Sequence, residues 1–214
     1  MDFRTLALSW TALFAAMILD IFMSLILPIK YPGYSRMKDS ISALGNPESP
    51  VRKIFNFWML IEGIFFIISM DAFYDYYHKI SMGLTVTAIV FIIIFAVGAC
   101  IFTCFFSVNK SKDVVTTASK IHGIGSVIGF TLFLFVPLLV SRLSFLNNEQ
   151  GTGIIGIICF VLSLVTFVLF VMADKPKFSN TFIANEGLWQ RLNLFFMYCP
   201  LIIVSVKRYL ELRP

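Results

Sequence analysis

Six long apolar stretches constrain this chain more than any other feature of its sequence. They cover approximately residues 5–27, 54–73, 80–106, 121–140, 153–173 and 188–206. A helix needs about 20 apolar residues to cross the roughly 30 Å hydrocarbon core of a bilayer. Each stretch is about that long, so the sequence predicts six transmembrane helices, here called spans one to six.

Composition supports a membrane protein over a soluble one. The 214 residues are 58% hydrophobic and 14% charged, whereas soluble domains carry about 25% charged residues. The apolar runs are continuous and do not alternate between two faces, as the strands of a membrane barrel would. We therefore predict an all-α, polytopic integral membrane protein in which residues 1–214 form one bundle of six transmembrane helices.

The cysteines and the net charge indicate a lipid environment and no bound metal. All four cysteines fall within predicted spans and match no zinc-binding spacing, so we interpret them as apolar packing residues. We expect no metal and no cofactor. The net charge of +5 arises from loops beside the membrane, where anionic headgroups explain it more simply than nucleic acid does. Membrane lipid is the expected partner, and a membrane-protein partner is an open alternative.

Basic residues in the connections predict an orientation. Of the 17 Lys and Arg residues, eleven lie in loops one, three and five, and six lie in the termini and in loops two and four. Cytoplasmic loops carry the excess of Lys and Arg. This distribution therefore places the odd-numbered loops in the cytoplasm and both termini outside.

Polar residues inside the predicted spans gather near the odd-numbered loops. Asp20 and Glu62 each lie about eight residues from that surface, which is roughly 12 Å deep at 1.5 Å per residue. His122 and Ser126 begin span four from the same side. A charge inside a membrane helix costs about 2.5–3.5 kcal/mol, so such groups pair with one another or face a water-filled cavity. The sequence predicts a polar pocket in this leaflet, with hydrogen bonding between helices as the alternative.

Five further residues complete the predicted ligand pocket. Glu186, Gln190 and Arg191 lie at the start of span six, and Ser40 and Ser42 lie in the first loop. Because all five belong to the odd-loop surface, we expect them to lie above Asp20 and Glu62.

The first loop, residues 28–53, is the longest connection. Apolar residues recur at helical spacing between Ser35 and Leu44, and Gly45 follows as a residue suited to end a helix. This pattern predicts a short interfacial helix over the pocket. A solvated loop with a capped turn is the alternative.

Glycines and prolines within the spans indicate how the helices pack. Gly125 and Gly129 form a pair of small residues four positions apart, which lets another helix approach span four closely. Pro137 and Pro200 interrupt the hydrogen bonding of spans four and six. We predict bends at both prolines.

Three motifs in the chain resemble those of a known bacterial family. They are Ser40–Gly45 after span one, Ile121–Ser126 at the start of span four, and Glu186–Arg191 at the start of span six. Over essentially its whole length the chain resembles the family catalogued as domain of unknown function 998. The resemblance implies six spans in the bacterial cytoplasmic membrane and no established activity. It also implies cytoplasmic termini, opposite to the orientation that the basic residues predict.

Three functions are compatible with these observations. We favour a pocket that binds a lipid or lipid-like amphiphile. The second is an intramembrane lipid-modifying hydrolase or transferase, with Ser40 or Ser42 as nucleophile, His122 as base and Arg191 holding a phosphate. The third is a non-catalytic accessory subunit or sensor of a membrane complex. The sequence leaves enzyme and non-enzyme open.

Overall fold

The protein folds as a bundle of six membrane-spanning helical units. The computed structural model describes residues 2–111 and 114–212, and within these residues there is no β-strand. The units long and apolar enough to cross a membrane are Phe3–Lys30, Arg52–Tyr77, Met82–Phe105, Thr117–Leu146, Gln150–Ala173 and Glu186–Glu211. The predicted all-α, six-span architecture is confirmed.

Two of the spans are built from more than one helix. The α-helices are α1 (Phe3–Ile26), α2 (Arg52–Tyr77), α3 (Met82–Phe95), α4 (Phe102–Phe105), α5 (Thr117–Phe133), α6 (Val136–Leu146), α7 (Gln150–Ala173) and α8 (Glu186–Glu211). A π-helical segment, Ala96–Ile101, joins α3 to α4 within span three. Span four consists of α5 and α6. Short 3₁₀ turns occupy Leu27–Lys30, Ile41–Gly45, Pro176–Phe178 and Phe182–Ala184.

Span four breaks just before Pro137, and its two halves have different neighbours. Proline is tolerated in the first turn of a helix, where its missing N–H would have no partner, and Pro137 occupies that position in α6. The half before the break, α5, packs on α3 and the π-helical segment, whereas α6 packs on α3, α7 and α8. Pro200, by contrast, lies inside the continuous helix α8.

The backbones of α5 and the π-helical segment touch at two glycines. A Cβ atom on Gly125 would lie 2.6 Å from the carbonyl oxygen of Gly98, and a Cβ on Gly98 would lie 2.5 Å from that of Gly125. A Cβ on Gly129 would lie 3.2 Å from the Cα of Phe95. The close approach predicted for Gly125 and Gly129 therefore occurs within the chain itself.

This contact predicts opposite effects for two neighbouring glycines of α5. Gly125→Ala should destabilise the protein by about 1–3 kcal/mol, because the added methyl group has to push two backbones apart. Gly123→Ala is the matched control, since no atom lies within 4 Å of its added Cβ and alanine favours the helix. Thermal unfolding of both variants in one detergent measures the difference. Equal melting temperatures would contradict the contact.

A buried ion network ties the helices together at the surface away from the odd-numbered loops. Arg208 is 4% exposed, and its guanidinium pairs with Glu149, which precedes α7, and with Glu211 at 2.5 Å. The guanidinium carbon lies 3.9 Å from the ring centroid of Tyr76. Lys207 contributes a second cation, 2.9 Å from Glu149. These contacts tie the end of α8 to α2 and to the connection before α7.

The ion network predicts that the folded state loses stability at low pH. Burial would raise the pKa of Glu149, but hydrogen bonds from Arg208 and Lys207 outweigh it and lower the pKa below its ordinary value. A lowered pKa in the folded state contributes stability above the ordinary carboxyl pKa, and this stability is lost as the pH falls through the folded-state pKa. Glu149→Gln should therefore melt several degrees below wild type at pH 7, and the difference should shrink below about pH 4.

Thermal unfolding across pH tests this prediction. Glu48→Gln is the matched control, because the side chain of Glu48 is 60% exposed in its ion pair with Lys110 and exposed pairs contribute little. A Glu149→Gln deficit that is the same at every pH would show that the charge of Glu149 is not what stabilises the network.

Candidate ligand-binding cavity

A cavity of about 560 Å³ lies between the helices on the side of the odd-numbered loops. Its size falls in the range of small-molecule sites, roughly 300–1,000 Å³. Eight of the nine predicted pocket residues line it, namely Asp20, Ser40, Ser42, Glu62, His122, Ser126, Glu186 and Gln190. Arg191 is not among the lining residues.

Two acids, Asp20 on α1 and Glu62 on α2, lie deep in the cavity and are here called the carboxyl pair. They are 4% and 1% exposed. The hydroxyl of Tyr198, on α8, lies 3.2 Å from Oδ2 of Asp20 and 3.1 Å from Oε1 of Glu62. The other carboxyl oxygen of Glu62, Oε2, is buried without a hydrogen-bond partner among the described residues. A single hydroxyl proton thus faces two carboxyl groups.

Four aromatic rings from four helices pack together next to the carboxyl pair, and two of them, Phe95 and Tyr198, line the cavity. The four rings are Phe66 of α2, Phe95 of α3, Phe133 of α5 and Tyr198 of α8, and all are fully buried. The ring centroids of Phe95 and Phe133 are 4.4 Å apart, and those of Phe66 and Tyr198 are 6.0 Å apart. We call this group the aromatic floor. It lies about one turn deeper in the membrane than the carboxyl pair.

The imidazole of His122 is held in a defined orientation at the cavity wall. Its Nδ1 lies 3.1 Å from the carbonyl oxygen of Phe106 and 3.2 Å from Oγ1 of Thr103. Because a carbonyl oxygen can only accept, this contact assigns the proton to Nδ1 and leaves Nε2 as an acceptor. Nε2 lies 3.5 Å from Oγ of Ser126, which also lines the cavity.

The two serines of the first loop are not joined to this histidine. Oγ of Ser40 and Oγ of Ser42 lie 3.2 Å apart and hydrogen-bond each other. Among the described residues, no hydrogen bond links either serine to His122. Within the same residues, no three His, Cys, Asp or Glu side chains are placed to hold a metal ion. Deep in the cavity, the polar groups are the carboxyl pair, the hydroxyls of Tyr198, Thr103 and Ser126, and the imidazole of His122.

Arg191 binds the first loop and not the cavity. Its guanidinium donates to the carbonyl oxygens of Arg36 at 2.8 Å, Asp39 at 3.3 Å and Ser24 at 3.2 Å, and to the hydroxyl of Tyr34 at 2.8 Å. These hydrogen bonds use the N–H groups of Arg191 with which it would bind a phosphate. The arrangement favours a positioning role for Arg191, whereas the sequence suggested a phosphate-binding one.

The first loop is a close-packed cover over the cavity. A Cβ on Gly187 would lie 2.2 Å from the carbonyl oxygen of Asp39, so the loop backbone rests directly on the start of α8. The side chain of Gln190 accepts from the N–H of Ile41 at 2.7 Å. The predicted helix over residues 35–44 is reduced to the 3₁₀ turn Ile41–Gly45, because the carbonyl groups of Arg36, Met37 and Asp39 accept hydrogen bonds from α8. We call residues 34–45 the first-loop cover.

Two hydroxyl-bearing residues of the cavity, Tyr198 and Thr103, were not singled out by sequence reasoning. Tyr198 follows Gln190 by eight positions and so lies on the same face of its helix, but a tyrosine within an apolar run is unremarkable by composition. Thr103 likewise carries no signal of its own. Only the packing of helices shows that these hydroxyls meet Glu62 and His122.

Fold and cavity together define a multi-pass helical membrane protein with an internal, ligand-sized site. A family model described as Protein of unknown function (DUF998) matches residues 14–207. Because the match covers most of the chain, the protein belongs to this family, and the resemblance seen in the sequence is confirmed. Among curated proteins and solved structures, none matches the chain.

The Arg191 contacts predict that one substitution loosens the first-loop cover. Arg191→Gln should speed amide hydrogen exchange in residues 34–45 by about tenfold or more, because hydrogen bonds from a charged group are lost. Arg191→Lys should rescue only part of the protection, since a single ammonium cannot reproduce the planar fork of donors. Hydrogen-exchange mass spectrometry measures this, with the exposed Lys53→Gln as control. Unchanged exchange in Arg191→Gln would contradict the role of Arg191.

Proposed function

We propose that this protein binds an amphiphile of the membrane, a lipid or lipid-like molecule, with the polar end in the cavity and the hydrocarbon chain in the bilayer. The bacterial cytoplasmic membrane, implied by the sequence resemblance, is the proposed location. The observation that carries the proposal is a gap between α5 and α7, which opens a polar cavity sideways toward lipid.

Apolar side chains from both helices line this gap. Val127 and Phe130 of α5, and Phe167, Phe170 and Val171 of α7, all belong to the cavity wall. Val127 is 65% exposed and Val171 is 47% exposed. The close packing that joins α7 to α6 and α8 is missing between α7 and α5. A hydrocarbon chain placed there would contact apolar groups along its whole length.

The opposite wall of the cavity suits a polar group. The carboxyl pair, His122 and Gln190 all line it and are at most 7% exposed. The first-loop cover, through Ser40 and Ser42, shields these groups from the aqueous side. A buried polar wall with an apolar side opening matches a molecule that is polar at one end and enters from the lipid.

A lipid-modifying enzyme is the second candidate, and the fixed imidazole of His122 favours it. An acceptor nitrogen facing a cavity can remove a proton from a bound hydroxyl group or water. Binding of the amphiphile is common to both candidates. They are distinguished by whether the lipid that leaves the cavity has been chemically altered.

An accessory subunit or sensor has less support. The glycine pair Gly125 and Gly129, which lets a helix approach span four closely, packs against Gly98 and Phe95 of the same chain. A partner helix would need another surface.

Blocking the gap should remove the bound lipid. The test is to purify the protein in mild detergent and identify retained lipids by native mass spectrometry. Wild type should retain a defined lipid, and Val127→Trp should lose most of it because the indole fills the gap. Ile128→Trp is the matched control, since Ile128 is the next residue of the same helix, is 49% exposed and does not line the cavity.

Two other outcomes of this experiment are informative. Retention of the same lipid by Val127→Trp, or only bulk lipid on wild type, would overturn the proposal. A mixture of the lipid and a chemically altered form of it on wild type would favour the enzyme.

A further inference from the structure

We infer that the polar end of the amphiphile is a cation, an alkylammonium group held by the carboxyl pair. This inference rests on the proposed function and names the class of ligand. It depends on three features of the cavity, namely an unpartnered carboxyl oxygen, the absence of an ion pair between the two acids and any described Lys or Arg, and the aromatic rings beside them.

The Tyr198 hydroxyl and the Trp58 indole both interact with Asp20, but one oxygen of Glu62 has no donor among the described residues. The Tyr198 hydroxyl carries one proton and faces both carboxyl groups, and Oε2 of Glu62 is buried with no partner among the described residues. Buried polar atoms in native structures are nearly always hydrogen-bonded. An ammonium group brings up to three N–H donors, which would satisfy Oε2 of Glu62 and the second carboxyl group together.

The basic side chain that acts electrostatically on Asp20, Arg191, is bound to the first loop and does not line the cavity. In the described part of the chain, no Lys or Arg forms an ion pair with Asp20 or Glu62. The basic residues that line the cavity, Lys38 and Lys110, come from the loops at its mouth. Lys110 is already paired with Glu48 at 2.5 Å. A bound cation would allow the carboxyl pair to ionise with its charge compensated, whereas a phosphate placed beside the ionised pair would be repelled.

Aromatic rings complete the environment of an amine. The rings of Phe95 and Tyr198, which belong to the aromatic floor, also line the cavity. Aromatic faces attract cations placed within about 6 Å of the ring centroid. Carboxyl groups together with aromatic rings recognise an ammonium group better than a neutral hydroxyl group of the same size.

Competition between three probes with the same chain tests the inference. The protein in a neutral maltoside detergent binds labelled dodecylamine, and unlabelled dodecylamine, dodecanol and dodecyl phosphate compete. Dodecylamine should compete about tenfold more strongly than dodecanol, the difference expected for hydrogen bonds to a charged group, and dodecyl phosphate should be the weakest.

Phosphatidylethanolamine, added as a fourth competitor, distinguishes the two possible sources of the ammonium group. Displacement by it identifies a phospholipid headgroup, and failure to displace identifies a single-chain amine.

Acid-to-amide variants test whether the carboxyl pair causes the preference for dodecylamine over dodecanol. Glu62→Gln and Asp20→Asn should lose the preference for the amine and keep the affinity for dodecanol. Asp71→Asn is the matched control, because Asp71 is an exposed acid on the same helix as Glu62, outside the cavity. The ranking of the probes on wild type stands by itself if a variant does not fold.

The failures of the two proposals are distinct. Equal competition by dodecylamine and dodecanol, or an unchanged amine preference in Glu62→Gln, would overturn the cationic ligand and leave amphiphile binding intact. Absence of saturable binding by every probe would overturn the proposed function and the inference with it.

Discussion

Span four is divided just before Pro137 into two helices with different neighbours, and of the two only α5 contributes residues to the cavity lining. The first helix, α5, packs on α3 and on the π-helical segment, where Gly125 and Gly98 meet backbone to backbone. The second helix, α6, packs on α3, α7 and α8. The cavity lining therefore includes the sides of α5 and α7 between which close packing is missing.

A second constraint is the low polarity of the surroundings. In lipid, backbone and side-chain polar groups have to find partners within the protein, and most of those near the cavity do. Arg191 satisfies carbonyl groups of the first loop, and Thr103 and Phe106 orient His122. Against this background, the unpartnered oxygen of Glu62 is conspicuous. The described structure leaves one strong acceptor open in the place where a ligand would lie.

Much of the fold could be predicted from the sequence because hydrophobic length alone specifies a membrane helix. Depth along each helix likewise predicted that Asp20, Glu62 and His122 lie near one another, and all three line the cavity. What could not be predicted depends on which helix lies beside which. The role of Tyr198, the gap between α5 and α7, and the use of Arg191 to hold a loop all arise from contacts between residues far apart in the chain. The charges and the residue spacing within one helix do not predict which other helix packs against it.

The aromatic floor gives the molecule a sidedness. Its rings lie between the carboxyl pair and the half of the bundle that holds the Glu149 network. Under the proposed function, a ligand held in the cavity would be drawn from the leaflet on the side of the odd-numbered loops. Occupancy of the cavity would then follow the lipid composition of a single monolayer, and a change in the composition of the other monolayer would not alter it. Binding would depend on the concentration of the ligand in one monolayer and not on its average concentration in the bilayer.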